Sequence, residues 1–152
     1  MGGSFGAADA VQVAQTLRRQ TRQRRLWLLI GADADLAARI GADGVHLPER
    51  LMALAPRLRR AHPGWLISAA AHSTVAIRRG ERFGLDALLI SPVFPSRSPS
   101  ASTSMGPVRL AALIRGAQAP VIGLGGVNAC NAGRLIGAGA SGLAAIDGFS
   151  RG

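Results

Sequence analysis

The chain has 152 residues, enough for one domain with its own core. Apolar residues make up 48% and charged residues 17%, which excludes a mainly disordered chain, and the single Cys130 excludes an internal disulfide or a thiolate metal cage. The formal charge of +10 comes from 18 arginines and no lysine against 8 acidic residues, so neither a Schiff-base lysine nor a P-loop lysine is available. No apolar run approaches the roughly 20 residues that span a bilayer, and the N-terminus lacks the order of a signal peptide. A cytoplasmic protein is expected.

Helical spacing of Val13, Ala14 and Leu17 predicts an amphipathic helix over 9–23, leading into the arginine cluster Arg18, Arg19, Arg22, Arg24 and Arg25. That cluster reads as a solvated helix face, with contact to nucleic acid or an acidic protein as the alternative. Leu26–Ile30 is a continuous apolar run, as in a strand buried on both faces of a parallel sheet. A helix over 33–40 stopped by Gly41, a strand over 43–47, a helix over 49–61 and a strand from Trp65 follow. Further along, the pattern gives a helix over 74–83, a strand over 86–90, a long loop, and a helix over 108–115. A strand over 120–124, a helix capped by Asn128 and running to Ile136, and a strand over 141–146 complete it.

Three junctions echo one another: IGADGVHL at 40–47, FGLDALLI at 83–90 and IGAGASGLAAI at 136–146. Strands alternating with helices of this length make βαβ units, because a parallel pair needs a crossover long enough to hold a helix. The class is α/β with six parallel strands. Ligands of such sheets bind beyond the C-terminal strand ends, which directs attention to the residues after each strand.

The long loop SPVFPSRSPSASTSMG offers hydroxyls and Arg97 to a phosphate. Gly125-Gly126 leaves backbone N–H groups bare at a strand end. His46 reads as a packing histidine bonded to its neighbours, and His62 lies at the wrong end of the sheet. His72 sits at a strand end beside Ser73, with no carboxylate near in sequence to orient it. Cys130 is expected early in a helix as a small buried side chain, and Asp33 and Asp35 as helix-start carboxylates.

Taken together, GADGVHLPER at 41–50, the His-Ser pair at 72–73, SPVFPSRS at 91–98 and PVIGLGGVNACNAGRLIGAGASGLAAI at 120–146 resemble the thiamine-phosphate synthase family, including its thiazole-tautomerase branch. The resemblance implies a TIM-barrel-like (β/α)8 fold, here reduced to about six strands, and a barrel of that kind usually takes about 200 residues or more. It implies a reaction that joins hydroxymethylpyrimidine diphosphate to a thiazole phosphate with release of diphosphate and help from Mg2+. It also implies a phosphate site at Ser96, Ser98, Gly125, Gly126, Ile146 and Gly148, to which Arg97 adds charge, with His72 and Glu49 as further candidates.

Several family positions are changed. The Asn-Asp pair of the metal site falls on Gly31 and Ala32, a second metal-binding Asp on Leu51, and a hydroxyl residue on Ala70. The diphosphate-binding lysine falls on Pro99, the tautomerase histidine on Pro92 and its arginine on Ala69, while Asp147 replaces a serine. The expectation is a family member that binds a phosphorylated small molecule, is impaired in catalysis, and associates with further copies to cover its open sheet edges.

Overall fold

The computed structural model describes residues 6–96 and 103–146. Helix α1 spans Ala7–Gln23, strand β1 Leu29–Gly31, α2 Ala34–Ile40 and β2 Gly44–Leu47. A 3-10 helix over Glu49–Leu54 runs into α3, Ala55–Ala61, which is followed by β3, Leu66–Ala70, α4, Thr74–Arg82, and β4, Ala87–Ile90. The described chain then forms α5, Gly106–Ile114, β5, Val121–Leu124, α6, Ala132–Gly137, and β6, Gly142–Ala144. All six strands pair in parallel and in sequence order, β1-β2-β3-β4-β5-β6. This is the expected TIM-barrel-like α/β succession.

The two faces of the sheet differ. Alternating residues Val45, Leu47, Ile67, Ala69, Leu88, Ile90 and Val121 are buried where the helices pack. On the opposite face, His46, Ala70, Ala87, Leu89, Ile122 and Leu124 are only half-buried. The helices thus supply the core, completed by Ala37, Met52, Ile77, Leu110 and Leu135.

The three echoing junctions share one physical device. At each, a glycine in the left-handed region (Gly41, Gly84, Gly139) ends the helix or its last turn, and the polar residue two positions later fastens the neighbouring strand. Asp43 N–H donates to the Leu28 carbonyl at 2.9 Å while its carboxylate accepts the Leu28 N–H at 2.8 Å. Asp86 does the same with Ile67, at 2.9 and 2.7 Å, and Ser141 with Val121, at 2.8 and 3.3 Å. An arginine from the helix preceding the fastened strand answers each aspartate: Arg18 reaches Asp43 at 2.5 Å and Arg59 reaches Asp86 at 2.6 Å. Burial alone would raise the Asp43 carboxyl, but the Leu28 N–H and the Arg18 guanidinium outweigh it and hold the group below its usual value of 3.8.

Several sequence expectations change. The strand expected over Leu26–Ile30 is shorter, because the chain leaves α1 through Arg25 at φ 55° and only then joins β2; Leu26 and Trp27 are 55% and 74% exposed rather than buried. The helix expected over 49–61 begins as a 3-10 helix, since Pro56 has no N–H for a continuous α-helical ladder and belongs in the first turn of α3. The regular helix expected from Asn128 starts at Ala132, after a turn in which the Asn128 side chain accepts the Cys130 N–H and its carbonyl the Ala132 N–H, both at 3.0 Å. Cys130 is accordingly exposed and precedes the helix. Arg18 is not solvated, its side chain being 13% exposed.

Asp43→Ala is expected to cost about 2 kcal/mol, since it strands the Leu28 N–H and the Arg18 charge, and Asp86→Ala less, its pair being more exposed. Both are read from urea midpoints. The Asp43 carboxyl is lowered on folding, so its stabilisation is complete above pH 3.8 and is lost as pH falls through the lowered folded value. The midpoints of the parent and Asp43→Asn should therefore converge in acid.

Candidate functional site

Parallel pairing brings the C-terminal ends of β1 to β6 to one rim. At the end of β1, Ala32 sits at φ 60° with its N–H on the His46 carbonyl at 2.9 Å, and Asp33 caps α2 by accepting the Leu36 N–H at 2.8 Å. In β2 and β3, His46 lies opposite Ser68, and its Nδ1 is 3.0 Å from the Ser68 hydroxyl. Burial lowers the His46 pKa below 6.5, so folding disfavours its charged form and stability falls as pH drops from that value. His62 stacks on Trp65 with centroids 3.7 Å apart, away from the rim.

The carboxylate that sequence proximity did not reveal for His72 comes from the neighbouring strand end. Glu49, two residues beyond β2, lies beside His72, two residues beyond β3. Its Oε2 accepts the His72 backbone N–H at 2.9 Å and stands 2.8 Å from the ring Nδ1. Arg79 from α4 donates to the Glu49 carbonyl at 3.1 Å, and Ser73 caps α4 by accepting the Ala76 N–H at 3.1 Å.

At the opposite part of the rim, the loop after β4 crosses the end of β5. Val93 and Phe94 donate to the carbonyls of Leu124 and Gly125 at 2.9 and 3.0 Å, and Met105 and Gly106 return to the carbonyls of Pro92 and Val93. This crossing explains the glycine pair. A Cβ on Gly125 would lie 2.8 Å from Pro92 Cα, one on Gly126 2.2 Å from the Pro95 carbonyl oxygen, and both residues have positive φ. Among the described residues, the N–H groups of Gly125, Gly126 and Val127 engage no acceptor.

Ser96 is half-buried at the edge of the described loop, and Ile146 is exposed just past β6. Arg97, Ser98, Asp147 and Gly148 lie outside the described residues. Arg134 of α6 sits 5.6 Å over the Phe94 ring, adding a cation beside this end. In the basic cluster, Arg19, Arg22, Arg24 and Arg25 are exposed.

A parallel sheet of successive β/α units, with its strand ends gathered into one polar rim, defines a protein of the TIM-barrel type. The family model for thiamine monophosphate synthase matches residues 4–149. The chain is 30% identical to the thiamine-phosphate synthase of Bacillus velezensis, over 98% of this chain and 67% of the relative. It is 31% identical to that of Haloquadratum walsbyi, over 89% and 62%. The solved thiamine phosphate pyrophosphorylase from Pyrococcus furiosus superposes with a TM-score of 0.78 at 25% identity, covering 95% of this chain and 69% of that one. An aldolase, at 17% identity and a TM-score of 0.57, covers 76% of this chain and 59% of its own and shares the fold alone. The chain belongs to the thiamine-phosphate synthase family and spans about two-thirds of the length of these relatives. Among the described residues, no helix is long and apolar enough to cross a membrane.

Gly126→Ala is expected to cost more than about 2 kcal/mol, from the left-handed backbone plus the clash at Pro95. Gly133→Ala, in α6 with open space around it, is expected to be neutral or stabilising by up to about 1 kcal/mol. Thermal unfolding of the two variants checks both.

Proposed function

We propose that this chain binds a phosphorylated small molecule at the end of β5 and does not turn over the synthase reaction. The observation that carries this reading is that, among the described residues, the backbone N–H groups from Gly125 to Val127 engage no acceptor, beside the crossing of the loop after β4. Ser96, Arg97 and Ser98 on that loop, and the backbone at Ile146 and Gly148, would complete the phosphate contacts. The family reaction ionises the C–O bond of hydroxymethylpyrimidine diphosphate and captures the cation with the nitrogen of a thiazole phosphate. That step calls for cationic groups around the departing diphosphate.

The residues present do not fit Mg2+. This ion takes carboxylates in near-octahedral order, and the last residue of β1 and the one after it are Gly31 and Ala32. Of the described carboxylates beyond β1 and β2, Asp33 accepts the Leu36 N–H and Glu49 contacts His72, which leaves Asp35 in the first turn of α2. Among the described residues, no three His, Cys, Asp or Glu side chains form a metal-sized group. Loss of this donor set is the physical basis for the impaired condensation.

The half-buried face of the sheet favours association with further copies, and the family's biosynthetic role favours the cytoplasm. A second reading, binding of nucleic acid or an acidic protein through α1, draws on exposed Arg19, Arg22, Arg24 and Arg25 with Trp27 beside them.

Thiazole phosphate and inorganic phosphate are each expected to raise the thermal midpoint, by the equivalent of about 3 kcal/mol at a hundredfold excess over Kd. No shift with either removes the phosphate site. Thiamine phosphate is not expected to accumulate from the two family substrates, and its accumulation would overturn the claim of impairment. Salt-sensitive binding to a DNA duplex, lost on neutralising the exposed arginines, would favour the second reading.

A further inference from the structure

The charges of this chain are sorted by the direction of its helices. In a sheet of successive β/α units every helix runs from the rim to the opposite end, where the strands begin. Carboxylates occupy the helix starts: Asp9 and Asp35 lie in the first turns of α1 and α2, Asp33 caps α2, and Glu49 opens the 3-10 helix. Arginines occupy the finishes. Arg22, Arg39, Arg60 and Arg82 lie in the last turns of α1 to α4, and Arg115 ends α5. Helix dipoles favour a cation at each such end, which accounts for the placement and leaves the charges to sum over one face. The acids that share this face are spent within the fold. Asp43 is paired with Arg18 and Asp86 with Arg59, while Glu81 accepts the Gln118 and Ala119 N–H groups at 2.6 and 3.4 Å, with Arg78 at 3.7 Å. The five arginines at the helix finishes are exposed, as are Arg24 and Arg25 just past α1, and their side chains make no hydrogen bond or ion pair among the described residues.

Contacts across this end join the arginines into one surface. A Cβ on Gly41, at the end of α2, would stand 3.8 Å from Arg22 Nη2, so the ends of α1 and α2 meet. Leu66 N–H donates to the Asp43 carbonyl at 2.9 Å, joining the starts of β2 and β3. Arg59 Nη2 donates to the Gly84 carbonyl at 3.3 Å, which brings the end of α3, with Arg60, to that of α4, with Arg82. Glu81 carries the line on to the segment between Arg115 and β5. Beside the arginines stands an apolar pair, Leu26 and Trp27, 55% and 74% exposed. Single-stranded nucleic acid is held in a basic groove with a succession of stacking aromatics, and Trp27 is the one exposed aromatic among the described residues. A broad positive face with a Leu-Trp pair at its edge suits a flat polyanion. We infer that the strand-start face docks on an anionic lipid bilayer, the arginines meeting lipid phosphates and Leu26 and Trp27 entering the headgroup layer. A free phosphate ion meets these arginines singly, whereas a lipid surface meets them together. The rim then faces solution, and the inference is independent of what the rim binds.

Co-sedimentation of the whole chain with vesicles tests it. Vesicles of phosphatidylcholine with added phosphatidylglycerol are expected to carry the protein down, and vesicles of phosphatidylcholine alone to leave it in solution, with binding that weakens as salt is raised. Arg60→Gln and Arg82→Gln, both remote in sequence from the α1 cluster, should each lower the partition coefficient about fivefold, the usual worth of one arginine at an anionic surface. Arg50→Gln removes the same charge from an exposed position beside Glu49 on the rim and should change it little. Trp27→Ala should weaken binding and leave its salt dependence as it was. No binding to the anionic vesicles overturns the inference, as does equal weakening by Arg50→Gln, which would mark attraction to net charge rather than a face. No effect of Trp27→Ala contradicts entry of the apolar pair. Tighter binding to a DNA duplex or single strand than to the vesicles, lost in the same Arg60 and Arg82 variants, would assign the face to nucleic acid instead.

Discussion

Parallel strand pairing is the constraint from which the rest of this molecule follows. Each new strand must start where the previous one started, so the chain returns across the sheet after every strand, and helices line one face. The strand starts then form a floor and the strand ends a rim. Polar residues divide accordingly. On the floor, Asp43, Asp86 and Ser141 satisfy an N–H at the start of a neighbouring strand or just before it, with Arg18 and Arg59 balancing the two charges. On the rim, Glu49 holds His72, and the amides from Gly125 to Val127 engage no acceptor among the described residues.

The end of β1 carries no carboxylate side chain of its own. Gly31 and Ala32 carry no ligand atoms in their side chains, and of the acidic groups nearby Asp33 caps α2 and Glu49 contacts His72, which leaves Asp35 in the first turn of α2. The end of β5 is different, because packing fixes its glycines. The crossing of Pro92–Pro95 over β5 leaves no room for a Cβ, and the same absence of side chains leaves the amides bare. Packing alone therefore requires glycine at both positions.

Much of the fold was legible because its signals are local. The Gly41, Gly84 and Gly139 stops and the polar residue two positions on appear as a repeated phrase in the sequence, and the structure gives that phrase a hydrogen-bonding purpose. What was not legible depends on register between strands. Glu49 and His72 are 23 positions apart and meet only because β2 and β3 are adjacent and in step, and Arg18 reaches Asp43 for the same reason. Two local readings also gave way to backbone chemistry: Pro56 converted the start of an expected helix to a 3-10 turn, and Asn128 closes a turn with Cys130 ahead of the regular helix. Arg97, Ser98 and Gly148 rest on sequence resemblance, as they lie outside the described residues.

The central claim is that the rim, and not the basic first helix, is the ligand-binding surface. Amide spectra of isotopically labelled protein, recorded as inorganic phosphate is added, test it most directly. The account predicts saturable shifts at Gly125, Gly126 and Val127, with α1 unmoved. Shifts confined to the exposed arginines Arg19, Arg22, Arg24 and Arg25, with the glycine amides unmoved, would contradict it.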